Sequence, residues 1–156
     1  MKKFLALAIV ALVGVATASA QKGAMAVGGN LLYGTEINSV GLGAKFQYGI
    51  LEHLRGEGSF NYYFQNKGFR MWDLNANAHY VFDITEKFHA YPLAGLTVVN
   101  KSYSDIDDSI TRFGLNLGGG CEYDVNEHWR VNAEFKYSIV STIDQAVFSL
   151  GAVYKF

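Results

Sequence analysis

The sequence predicts an all-β fold, an eight-stranded antiparallel up-and-down transmembrane β-barrel preceded by a cleaved signal peptide. The first observation is that apolar and polar residues alternate with a period of two along most of the chain. The second is that the alternating segments run for roughly 10–13 residues, longer than ordinary strands and suited to a tilted strand that crosses a bilayer. The third is the composition, with 17 Gly, 11 Phe and 10 Tyr beside a single Pro, which favours strands over helices.

The first segment of the chain has the pattern of a signal peptide. Two lysines precede an apolar run over residues 4–15, and a small-residue cleavage site ends at Ala20. The run is too short for a membrane-spanning helix, which needs about 20 apolar residues. The sequence therefore predicts a signal peptide over residues 1–20 and a barrel domain over residues 21–156.

The alternation itself places the strands. It is clearest from Trp129 to Ile139, where apolar residues occupy every odd position and polar residues every even one. Two segments are less regular: the first alternates weakly, and the fifth contains Pro92, which lacks a ladder N–H and predicts a bulge that shifts the parity. The eight predicted strands lie in residues 24–33, 40–50, 57–65, 72–83, 88–100, 112–123, 129–139 and 148–156.

Three similar tetrapeptides join the end of one strand to the start of the next. They are Leu51–Leu54, Thr85–Phe88 and Asn126–Trp129, and each has Glu in second place and an apolar residue in fourth. Their spacing of roughly 35–40 residues is a hairpin repeat, so the sequence predicts three tight turns of one kind at one rim. The connections at the opposite rim fall near residues 34–39, 66–68, 102–110 and 141–144, of which only Ser102–Ile110 is long.

Side-chain volume predicts which face of the barrel is apolar. The apolar parity contains bulky residues such as Trp72, Phe135 and Phe148, too large for the narrow interior of about eight strands. The polar parity is rich in glycine, for example Gly118 and Gly120, which fits inside. The bulky residues are therefore expected to face lipid, with aromatic girdles near both strand ends.

The charges of the polar parity are expected to lie in the lumen. They are of mixed sign, so pairing is predicted, because an unpaired buried charge is costly. If the turn near Asn126 sets the register, Arg130 lies opposite Glu122 or Asp124, and Glu134 lies opposite Gly118 or Gly120. The predicted lumen network is Lys45, Arg55, Glu57, Glu122, Arg130, Glu134 and Lys136, with Asp73 and Arg112 on the same parity. The alternative for these charges is a gated ion path.

The final strand carries the most specific resemblance to a known family. Apolar residues alternate there and end on an aromatic terminus, at Phe148, Leu150, Ala152, Tyr154 and Phe156. With the strands before it, residues 21–156 resemble the eight-stranded outer-membrane barrels that include outer membrane protein X and the transmembrane domain of outer membrane protein A.

The resemblance implies a location, an assembly route and a topology. It implies export through the general secretory pathway, delivery by periplasmic chaperones, and insertion among outer-membrane lipid. Phe148, Leu150, Tyr154 and Phe156 then act as the signal that is read by the barrel-assembly machinery. The N-terminus and the three Glu-containing turns are placed in the periplasm, and the opposite rim faces outside the cell.

Other chemistries are weakly indicated or excluded. Thirteen basic and 14 acidic residues leave no single-sign field for a nucleic acid. Cys121 is the only cysteine, so neither a disulfide nor a zinc site is predicted. Strand residues His79 and His89 lack an accompanying nucleophile, and the acidic cluster at residues 105–108 lacks calcium-loop spacing. No metal, cofactor or catalytic residue is predicted.

The leading functional hypothesis is a non-enzymatic structural or surface-interaction protein, with an extracellular partner contacted through the loops. The first rival is a narrow pore for small solutes or ions. The second is a lipid-modifying outer-membrane enzyme, and the third is a soluble ligand-binding barrel, which would bury the apolar parity instead of exposing it.

Overall fold

The computed structural model describes residues 23–156, which form antiparallel strands and no helix. The predicted signal peptide, residues 1–20, lies outside the described residues. The strands are β1 (Met25–Gly34), β2 (Ser39–Gly49), β3 (Leu54–Asn66), β4 (Phe69–Tyr80), β5 (Phe82–Asp83), β6 (Phe88–Tyr103), β7 (Asp108–Asp124), β8 (Trp129–Val140) and β9 (Gln145–Lys155). No helix within the described range is long and apolar enough to cross a membrane.

The strands close into a barrel. Each strand pairs with the next one in sequence except β4 with β5, and β1 also pairs with β9, from Ala26–Lys155 to Gly34–Val147. The other closing contact joins β4 to β6, so β4 and the two-residue β5 together make one of eight barrel strands. Closure satisfies the backbone groups that lipid would leave unpaired at an open edge. The predicted eight-stranded antiparallel barrel is confirmed.

Pro92 interrupts hydrogen bonding without shifting the register. The pairs His79–Leu93 and Phe82–Ala90 lie on one continuous register, so Tyr80 faces Pro92. Because proline has no N–H, it leaves the Tyr80 carbonyl unbonded on this side, and the strand is divided into β4 and β5. The bulge predicted at Pro92 is wrong, since the β6–β7 pairing runs unbroken. The register shift lies in β3 instead, between Tyr63 and Asn66.

The three Glu-containing turns share one geometry, as predicted. In each, two successive backbone N–H groups donate to one carbonyl at the start of the next strand, at Leu54, Phe88 and Trp129. The side chains of Thr85 and Asn126 add acceptors for the turn N–H groups. These turns, with both described chain ends, form what we call the Glu-turn rim.

The opposite rim has only short connections, which corrects the expectation of a long loop at Ser102–Ile110. β6 continues to Tyr103 and β7 starts at Asp108, so only residues 104–107 form a turn. The segment 108–113 pairs with β6 alone, because β8 pairing begins at Gly114. The β6–β7 hairpin therefore projects beyond the neighbouring strand β8.

Apolar side chains cover the outside of the barrel. Leu150 is 66% exposed, whereas Lys45 is 5% exposed. Phe135 and Phe148 pack against each other on the outer surface with ring centroids 4.9 Å apart. A soluble barrel would show the reverse, so this arrangement contradicts the soluble ligand-binding alternative.

The interior is polar over most of its depth and apolar near the opposite rim, which the parity argument did not predict. Two turn residues, Ile37 and Ile143, fold into the mouth above strand residues that include Tyr63 and Met71. We call this cluster the apolar plug, formed by Leu32, Ile37, Tyr63, Met71, Val99, Val140, Ile143 and Val147. It fills the barrel mouth at this end.

Candidate functional site in the barrel interior

A buried charge cluster lies closest to the Glu-turn rim. The guanidinium of Arg55 on β3 donates from Nη1 and Nη2 to the two oxygens of Glu122 on β7, at 2.9 and 3.0 Å. Arg130 on β8 approaches the same carboxylate, with Nη1 3.3 Å from Oε1. Two cations therefore share one buried carboxylate and link three strands across the lumen. The register places Arg130 opposite Asp124, one of the two predicted partners.

An aromatic stack lies next to this cluster. The rings of His79 and Tyr91 are parallel within 10° and 4.4 Å apart, and the Arg55 guanidinium carbon is 5.1 Å from the centre of the Tyr91 ring. The Tyr91 hydroxyl donates to Glu134 at 2.8 Å. Gly120 makes room for this ring, because a Cβ there would lie 2.7 Å from it.

Four charged residues form a ring in the middle of the lumen: Lys45, Glu57, Glu134 and Lys136. They bond mainly to neutral groups: Lys45 Nζ donates to Asn132 at 3.1 Å, and Lys136 Nζ donates to Asn75 at 3.2 Å. No Lys or Arg forms an ion pair with either glutamate among residues 23–156. The four surround a cavity of about 10 Å³, enough for one water molecule. The structure therefore shows no direct salt bridge between the lysines and the glutamates of this ring, although pairing was predicted for these charges.

An amide network separates this ring from the apolar plug. Asp73 is 1% exposed and accepts hydrogen bonds from Asn61 and from the Tyr63 hydroxyl, at 2.7 and 2.9 Å. Asn116 donates to Asn75 at 2.9 Å, which extends the network across the barrel. These bonds satisfy polar groups that would otherwise be costly to bury.

Glu57, His79 and Glu134 have the residue types of a metal site, with ligand atoms within 4.8 Å of one another. Arg55 Nη2, which can only donate, lies 3.0 Å from His79 Nδ1. The neutral ring therefore carries its proton on Nε2, the nitrogen that lies 3.8 Å from Glu57. A metal would need a lone pair on that nitrogen, so this arrangement does not fit a metal ion.

A larger cavity opens at the Glu-turn rim, with a volume of about 500 Å³. Asp124 lies in its wall and accepts from Arg130 Nε at 2.7 Å and from Lys155 Nζ at 2.9 Å. His89 lies between Asp124 and Asp83, 3.0 and 2.6 Å away. We call this cavity the vestibule.

The seven residues of the predicted lumen network all lie on the inward face, and the two strand histidines join them. Arg112 shares the inward parity but is exposed, because it lies on the projecting part of β7. Sequence reasoning missed Tyr63 and Tyr91, since bulk argued against interior aromatics. Their positions on the polar parity were the signal that could have identified them.

A closed antiparallel barrel with an apolar exterior and a hydrogen-bonded charged interior defines the class of small transmembrane β-barrels. Residues 4–156 match the family model described as the outer membrane protein beta-barrel domain, and the chain belongs to this family. The protein is therefore located in the outer membrane. No curated protein sequence matches the chain.

Solved structures of small outer-membrane barrels share the fold. The N-terminal β-barrel domain of OprF from Pseudomonas aeruginosa superposes with a TM-score of 0.75 at 17% identity, covering 86% of this chain and 98% of that one. Neisserial surface protein A gives 0.67 at 21% identity, covering 85% and 96%. Ail, the attachment invasion locus protein of Yersinia pestis, gives 0.61 at 22% identity, covering 86% and 99%.

Proposed function

We propose that the protein is a non-conducting, non-enzymatic barrel with a structural or surface-contact role in the outer membrane. The observation that carries this proposal is the filled interior. The apolar plug closes one end, and the Arg55–Glu122 cluster crosses the lumen near the other. An ion would have to cross this layer of packed apolar side chains, which is costly.

An enzymatic role has little support in the interior. Catalysis needs a nucleophile beside a base. In the part of the chain that the structure describes, no Ser, Thr or Cys side chain hydrogen-bonds to a histidine. His79 contacts Arg55, and His89 contacts two aspartates, which suits structural roles.

The conductance of the purified protein tests the filled interior. In a planar bilayer we expect no channel steps from the wild type, and equal silence from Glu134→Gln and Lys136→Met, because neither change removes the plug. Steps whose amplitude depends on Glu134 or Lys136 would contradict the proposal and favour the narrow pore.

The surface role depends on which rim faces outside the cell. The family resemblance supports an outward position for the rim opposite the Glu-turn rim. We expect an Asp107→Cys variant to react with a membrane-impermeant thiol reagent on intact cells, since residue 107 lies in the exposed β6–β7 turn. Glu52→Cys, in a Glu-containing turn, should react only after the outer membrane is permeabilised. Both changes are made with Cys121→Ser, which removes the native thiol. Labelling of position 52 but not 107 on intact cells would contradict this topology and place the Glu-turn rim outside the cell.

A further inference from the structure

The three repeated turns share a feature beyond their glutamates. Three residues after each Glu comes a basic side chain, in Glu52–Arg55, Glu86–His89 and Glu127–Arg130. The residue directly before each basic side chain is apolar: Leu54, Phe88 and Trp129. Because the turns have the same hydrogen bonds, each Glu lies in an exposed turn and each base lies on the inward face of the strand that follows.

All six of these residues line the vestibule. The turn glutamates are exposed at its mouth, whereas Arg55 and His89 are each 8% exposed, deeper in the lumen. Within residues 23–156, no ion pair involves Glu52, Glu86 or Glu127. The vestibule, about 500 Å³ in volume, is large enough for a small molecule.

The charges of the vestibule are separated by depth. Its inner part holds three cations, Arg55, Arg130 and Lys155, against the carboxylates of Glu122 and Asp124. Among these five residues, three positive charges face two negative ones. The mouth carries the three turn carboxylates. A molecule inside thus has the turn carboxylates on its outer side and the cationic groups of Arg130 and Lys155 on its inner side.

We infer that the vestibule binds a small zwitterion, with its carboxylate directed to Arg130 and Lys155 and its ammonium group directed to the turn glutamates. The side chains of Arg130 and Lys155 are 16% and 23% exposed, so both can reach a ligand. Three residues of chain span at most about 10 Å, so the Cα atoms of Glu127 and Arg130 lie within that distance, which suits a ligand with two charges a few bonds apart. A simple anion would be repelled at the mouth, and a simple cation would be repelled further in.

Three probes of equal length test the inference: ε-aminocaproate carries both charges, caproate only the negative one, and hexylammonium only the positive one. The protein is isolated from outer membranes in detergent with ¹⁵N-labelled arginine, and the Nε–H resonances of its four arginines are followed during titration. We expect ε-aminocaproate to shift the Arg55 and Arg130 resonances saturably. Arg70 and Arg112, outside the vestibule, serve as internal controls and should not move.

Charge variants at the two rims show where the ammonium group binds. The triple variant Glu52→Gln, Glu86→Gln, Glu127→Gln should weaken ε-aminocaproate about tenfold at low salt, as expected for three exposed charge interactions. The matched variant Glu36→Gln, Asp105→Asn, Asp107→Asn removes three charges from the opposite rim and should leave affinity unchanged. All six sites are exposed, so neither variant is expected to prevent folding.

Several results would overturn the inference. They are the lack of a saturable shift at Arg130, binding of caproate or hexylammonium as tight as that of ε-aminocaproate, and equal weakening by the two triple variants. None of these depends on conductance or on which rim faces outside, so failure here is distinct from failure of the proposed function.

Discussion

Leu74→Arg is expected to destabilise the barrel in lipid vesicles by about 2–4 kcal/mol, the cost of a cation on the lipid face at the bilayer midplane. Leu74 lies halfway along β4 and is 52% exposed on the outer surface. Urea unfolding followed by tryptophan fluorescence measures the change. In water the same substitution would be nearly neutral, since an exposed leucine gains little from burial.

Ile106→Arg is the matched control. Ile106 is 64% exposed, more than Leu74, but it lies at the tip of the β6–β7 turn, beyond the strands. Its replacement should change the free energy of unfolding by less than about 0.5 kcal/mol. Equal effects of the two variants would mean that the outer surface of β4 does not contact acyl chains.

Glu122→Gln is expected to cost about 3–5 kcal/mol, because it removes the charge shared by Arg55 and Arg130 and leaves two cations close together in the lumen. The substitution preserves side-chain volume, so the loss reports on charge and not on packing. Equilibrium unfolding in vesicles measures it, with Glu127→Gln in the exposed turn as the control that should stay within about 0.5 kcal/mol.

A double substitution distinguishes the contribution of the Arg55–Glu122 ion pair from the cost of leaving one buried charge without its partner. Replacing Arg55 by Met together with Glu122 by Leu removes both buried charges, and the loss should be smaller than for Glu122→Gln alone. If the single variant lost less than about 1 kcal/mol, solvent in the vestibule would be screening Arg55 and Arg130, and the cluster would not stabilise the barrel.

Much of the fold followed from sequence because three signals were strong. The period of two fixed which residues share a face, and side-chain volume decided that Trp72 and Phe135 lie outside. The repeated Glu-containing turns fixed the register at one rim, so Arg130 fell opposite Asp124 and Glu134 opposite Gly120.

The rest depended on contacts that parity does not encode. Ser102–Ile110 is rich in Ser and Asp, which have low strand propensity, yet β6–β7 pairing holds residues 102–103 and 108–110 extended. Next to this segment, the Asn100 side chain donates to Thr111 at 2.8 Å. Tyr91 fits inside because Gly120, its direct partner in the β6–β7 register, leaves room for the ring, and strand parity alone does not show this match in size. The apolar plug arises where Ile37 and Ile143 fold inward from turns, to which no strand parity applies.

The most direct test of the barrel's orientation toward lipid is quenching of its two tryptophans by brominated acyl chains in vesicles. Trp72 is partly exposed and Trp129 is 48% exposed, both on the outer surface. Single-tryptophan variants should be quenched strongly by bromolipid and weakly by aqueous iodide. Strong iodide quenching without an effect of bromolipid would place these side chains away from acyl chains and contradict the account.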